Sequence, residues 1–83
     1  MDRAAVTALI GTRIREIAAA KGAAPPAIAA DTPLFEGRLP IDSLDLAGLV
    51  VELETATGIE PFRDGLIEFH TVGELAALFV PHA

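Results

Sequence analysis

Apolar residues recur at helical spacing in three stretches of the chain. Val6, Leu9, Ile10, Ile14 and Ile17 form one stripe, which predicts a first helix from Asp2 to Lys21. Asp2 is placed as its N-cap and Gly22 stands at its C-terminal end. Arg13, Arg15 and Lys21 occupy its C-terminal half, where cations complement the helix dipole. A second periodic run starts at Asp42 or Ser43, either of which can cap it, and reaches Thr57 before Gly58. The third begins at Thr71-Val72-Gly73-Glu74, a capping box with Thr at the cap and Glu three residues on. Val72, Leu75, Ala76, Leu78 and Phe79 share one side of that helix, and Pro81 stops it.

The connecting segments differ in character. Residues 22–41 form a long connection that Pro25-Pro26 keeps out of helix, with Asp31-Thr32-Pro33 as a turn. Leu34 and Phe35 are large apolar residues in this polar loop and are expected to tuck into the core. A loop of this length in a small domain carries contacts or function of its own. From Ile59 to His70 a short, irregular helix is expected, starting at Pro61 and interrupted by Gly65, with Leu66, Ile67 and Phe69 as core material. The chain therefore reads as all-α: a four-helix bundle with a long first loop and a short third helix, in one domain spanning residues 1–83.

The second helix has two apolar arcs. At about 100° per residue, Leu46, Leu49, Val50, Leu53 and Ala56 fall on a core face. Leu44, Ala47, Gly48 and Val51 line the opposite arc, beginning beside Ser43 and flanked by Asp45, Glu52 and Glu54. An apolar strip with an acidic rim suits a docked partner better than open solvent. Gly48 strengthens this reading, since a mid-helix glycine costs about 1 kcal/mol against alanine.

Composition narrows the class. With 83 residues and 52% apolar residues, the chain can bury a core as one small domain. Few aromatics and abundant Ala and Leu favour helices over a sheet. The absence of cysteine removes disulfides and thiolate metal sites. No run has the form of a signal peptide or a membrane span, so a cytoplasmic location is expected. The net charge of −6 is uneven: residues 1–41 sum to +1 and residues 42–83 to −7, with Arg63 the lone cation of the second half. Such a surface repels nucleic acid and anionic membrane and steers toward basic protein patches.

Four segments, taken in order, resemble the acyl carrier protein family. They are Asp31-Thr32-Pro33-Leu34-Phe35, then Asp42-Ser43-Leu44-Asp45, then Val51-Glu52-Leu53-Glu54, then Thr71-Val72-Gly73-Glu74-Leu75. The resemblance implies that Ser43 is the attachment point of 4′-phosphopantetheine, delivered from coenzyme A by a magnesium-dependent phosphopantetheinyl transferase. It implies that the arm's terminal thiol carries acyl or aminoacyl groups as thioesters. The partners implied are that transferase, a loading ligase or acyltransferase, and a ketosynthase or other tailoring enzymes, all meeting a non-catalytic monomer. A serine at a helix N-terminus suits the phosphodiester, because free amides and the positive dipole end lie there. Asp42 and Asp45 oppose a phosphate by charge, so their expected role is recognition by a basic enzyme surface, with Asp42 also capping. The docking residues expected on this basis are Asp42, Leu44, Asp45, Ala47, Gly48, Val51, Glu52 and Glu54.

The chain departs from the family at three places. Pro40 stands where a glycine usually precedes the serine by three residues. Gly48 stands where fatty-acid carriers commonly have glutamate, and the segment after the second helix holds Phe62, Arg63 and Gly65 rather than an acidic run. These differences point to a freestanding carrier of a specialised polyketide or fatty-acid-like pathway. Two other readings compete. Ser43 as a hydrolytic nucleophile with His70 or His82 as base lacks a Gly-x-Ser-x-Gly elbow, and the two histidines have no metal-ligand spacing. An unmodified helical adaptor docking through the second helix keeps every feature except the modification.

Overall fold

The computed structural model describes residues 1–24, 27–35, 37, 39–65 and 67–81. Three helices lie among them: α1 (Arg3–Ala20), α2 (Ser43–Thr57) and α3 (Val72–Leu78). α1 begins where Asp2 accepts the Ala5 amide at 2.8 Å. It ends in a Schellman turn, with Ala23 N–H donating to Ala18 O, Gly22 N–H donating to Ala19 O, and Gly22 at φ +73°. α2 closes on Gly58 in the left-handed region, its N–H bonded to Glu54 O. α3 has the expected capping box: Glu74 N–H donates to Thr71 Oγ1 at 3.1 Å, and Glu74 Oε1 accepts from the Thr71 and His70 amides.

α1 packs chiefly against α3 and more lightly against α2. The core is Val6, Ile10 and Ile14 from α1, Leu49 and Leu53 from α2, Val72, Leu75, Ala76 and Phe79 from α3 and its end, and Leu34 and Leu39 from the first loop. Each such aliphatic side chain contributes about 1.5–3 kcal/mol on burial. Leu9, Ile17, Leu46, Val50 and Leu78 are half-buried at its margin. Ala56, expected on the core face of α2, is exposed, because the core beneath that helix stops at Leu53.

The long first loop is held by backbone pairing, which explains how it stays ordered without a helix of its own. Leu34 N–H donates to His70 O at 2.8 Å and Val72 N–H to Thr32 O at 3.0 Å, framing a bridge between Pro33 and Thr71. Pro33 sits at the position of this ladder that donates nothing, so its missing N–H costs nothing. Beside it, Gly73 N–H donates to Ala30 O at 2.7 Å. A Cβ on Gly73 would lie 2.9 Å from that same oxygen. Gly73→Ala is therefore expected to cost about 1–3 kcal/mol through overpacking, read as a lower urea midpoint.

Two expectations for the connections need correction. Leu34 is buried as expected, but Phe35 is 45% exposed, and Leu39 takes the inner position instead. The bridge at Pro33 turns consecutive side chains to opposite sides, so Leu34 and Phe35 cannot both enter the core. In the second case, no short third helix forms among the described residues of 59–71. Arg63 N–H to Glu60 O and Gly65 N–H to Phe62 O make turns, and Gly65 takes φ +144°, which helix excludes. Ile67, expected in the core, is 44% exposed, and Leu66 lies outside the described residues. Aromatic contacts replace the helix: Phe62 meets Phe69 at 5.8 Å and Phe79 at 6.4 Å between ring centroids.

Candidate functional site

Ser43 is the first residue of α2, and Asp42, not Ser43, is the cap. Asp42 Oδ1 accepts the Asp45 amide at 2.8 Å, and Asp45 Oδ2 accepts the Asp42 amide at 3.1 Å. This box holds the backbone on both sides of Ser43. Leu46 N–H is taken by Asp42 O, the first intrahelical bond. The amides of Ser43 and Leu44 belong to the helix start, where no intrahelical carbonyl lies ahead of them. They, with the positive end of the dipole, suit a phosphate oxygen at this position.

Ser43 is also the sole serine of the chain, a signal available in the sequence and more telling than its cap-like position. Its side chain is exposed. Five of the six threonines have hydroxyls engaged with backbone: Thr7 with Arg3 O, Thr32 with Ala29 N, Thr55 with Val51 O, Thr57 with Leu53 O, and Thr71 with Glu74 N. A groove of about 300 Å³ opens beside Ser43, with Leu34, Phe35, Leu39, Ile41 and Leu46 as its apolar walls. Phe35 thus spends its exposed ring on this groove rather than on the core, stacked obliquely 6.0 Å from Phe69.

The residues expected to form the strip are exposed. Leu44 is 81% and Val51 59% exposed, and Ala47 and Gly48 between them are exposed as well. A Cβ on Gly48 would meet nothing within 4 Å, so the fold itself does not require glycine there. The acidic rim is less free than its sequence suggests. Lys21 donates to Asp45 and lies 4.0 Å from Asp42, while Arg13 pairs with Glu52 and, at 3.2 Å, with Glu16. The Lys21 hydrogen bond, followed by the Asp42 amide, holds the Asp45 carboxyl below its usual range, and the same bond raises the Lys21 ammonium. Between these two cross-helix pairs lies a second groove of about 250 Å³, with Ile17, Leu44, Gly48 and Leu49 among its lining residues. Asp42 remains exposed and Glu54 is half-buried.

The histidines do not join this cluster. His70 precedes α3 and pairs with Glu68 at 3.2 Å, and His82 lies outside the described residues. Among the described residues no group of three His, Cys, Asp or Glu side chains is placed to hold a metal ion, and no helix is long and apolar enough to cross a membrane.

A model of the family described as phosphopantetheine attachment site matches residues 12–79. No curated protein and no solved structure matches the chain.

Proposed function

The chain belongs to the phosphopantetheine attachment site family, whose cofactor is covalently attached 4′-phosphopantetheine, and from that membership we propose that Ser43 is the attachment residue of an acyl carrier protein. Domains of this family are generally non-catalytic and meet a phosphopantetheinyl transferase and biosynthetic enzymes. When bound, the arm supplies a thiol that carries acyl or aminoacyl groups as thioesters. The observation that carries the assignment is a lone, exposed serine at the first position of a helix, inside a family match that spans it.

The residues around Ser43 suit the group. The Ser43 and Leu44 amides lie where helix geometry leaves donors for a phosphodiester oxygen. Asp42 caps the helix, so Ser43 need not, and its hydroxyl stays available as phosphoryl acceptor. The apolar groove along Leu34, Phe35 and Leu46 gives an arm leaving Ser43 a surface to lie on.

Partner enzymes dock, in this proposal, on the strip of Leu44, Ala47, Gly48 and Val51, with Asp42, Asp45, Glu52 and Glu54 at its edge. The protein acts as a single carrier domain and monomer in the cytoplasm. Its pathway is specialised and polyketide-like or fatty-acid-like, a view supported by Pro40, Gly48 and the non-acidic Phe62-Arg63-Gly65 segment. Val51→Asp is expected to leave stability within about 0.5 kcal/mol, as for other surface changes, and to raise the KM of a partner enzyme about tenfold or more. Partner kinetics beside a thermal melt check this, and a sharp drop in Tm would show the strip to be internal.

The carrier assignment is tested by incubating the chain with coenzyme A, magnesium and a broad-specificity phosphopantetheinyl transferase, then recording the intact mass. The expected result is a gain of one phosphopantetheine. A folded chain that gains none, with that transferase and with its native host's, would favour the unmodified adaptor.

A further inference from the structure

α1 ends beside the start of α2, and the residue at that end is a cation. The Lys21 backbone is fixed as the C-cap of α1, its N–H bonded to Ile17 O and Ala18 O. From this anchored position its ammonium reaches across 24 residues of sequence to donate to Asp45 Oδ2, with Asp42 Oδ2 4.0 Å away. These are the two carboxylates of the box that precedes and follows Ser43. The side chain remains solvent-accessible, so an approaching protein can displace it. Resting on the proposed function, this means that a basic partner nearing Ser43 meets carboxylates that already hold a cation.

We propose that Lys21 sets the strength and salt sensitivity of docking at Ser43, by occupying Asp42 and Asp45 until a lysine or arginine of the partner replaces it. A partner then gains only the difference between its own ion pairs and those it displaces. Lys21 acts through the two aspartates and is a positioning residue. A lysine ammonium and an aspartate carboxylate are both charged at neutral pH without any shift, so the exchange is between cations rather than between protonation states.

The test uses a phosphopantetheinyl transferase whose carrier-docking face is basic, and compares Lys21→Met, Lys21→Arg and Arg63→Met. Arg63 provides the control: its loss changes net charge equally, but it lies past the end of α2 and pairs with Glu60 rather than with Asp42 or Asp45. Lys21→Met is expected to lower the KM for the apo chain about three- to tenfold at low salt with kcat unchanged, and the gain should fade as salt screens the pair. Lys21→Arg should restore the wild-type KM, and Arg63→Met should move it far less than Lys21→Met does. In a Ser43→Ala background, which cannot be modified, Lys21→Met should tighten the Kd for the transferase by the same factor. A Lys21→Met effect equal to that of Arg63→Met, or a rise in KM or Kd, would overturn the inference. The binding arm separates its failure from that of the carrier assignment: a transferase that binds the wild-type chain and modifies it nowhere would overturn the latter alone.

Discussion

Phe79→Ala is expected to lower the unfolding free energy by about 3–5 kcal/mol. A chain of this length has a total of about 4–12 kcal/mol, so the variant would be substantially unfolded at modest temperature. The size of the effect follows from where the ring sits. Phe79 is fully buried just past α3 and contacts Phe62 edge-on, and Phe62 in turn meets Phe69, which meets Phe35. Truncation therefore leaves a cavity in the buried core and also removes the inner support of the turns at 60–65, where no helix holds the backbone. Urea denaturation of wild type and variant measures this directly. A loss under about 1 kcal/mol would mean that the site collapses to fill the space, and that the ring series does not anchor the segment.

Ser43→Ala is expected to abolish modification while leaving the fold intact. The two outcomes separate because the serine's chemical and structural roles are carried by different residues. Asp42 caps α2 and Asp45 completes the box, so no hydrogen bond of the helix start depends on the Ser43 hydroxyl. Alanine is a better helix former than serine, and the position is exposed. The stability change should stay within about 0.5 kcal/mol. By contrast no threonine offers an equivalent acceptor at a helix start near a free groove: Thr71 is itself the cap of α3, and Thr55 and Thr57 bond back into α2. Intact-mass analysis after transferase treatment, beside a thermal melt, reads both halves of the prediction. Modification that persists in the variant would remove Ser43 from the assignment.

Much of this arrangement is legible in the sequence, because it is encoded in local chemistry. The caps at Asp2, Thr71 and Glu74 and the stops at Gly22 and Gly58 act over three or four residues, and the apolar stripes of α1, α2 and α3 need only the helical period. What escaped the sequence depends on contacts between distant segments. Leu34 and Phe35 are adjacent and both apolar, yet the bridge to Thr71 sends one inward and one outward. The segment from Ile59 to His70 has apolar residues enough for a helix, but Pro61 and Gly65 let ring stacking decide its shape. Asp45 and Glu52 read as a free acidic rim, whereas the packing of α1 against α2 brings Lys21 and Arg13 onto them. The groove beside Ser43 was likewise invisible, since Leu39 and Phe35 come to it from the loop.

The most direct measurement is where the cofactor sits. Trypsin would release residues 39–63 as one peptide from the transferase-treated chain, containing Ser43 together with Thr55 and Thr57. Fragmentation of that peptide is predicted to localise one phosphopantetheine to Ser43. Localisation to Thr55 or Thr57, or to any other tryptic peptide, would contradict the account.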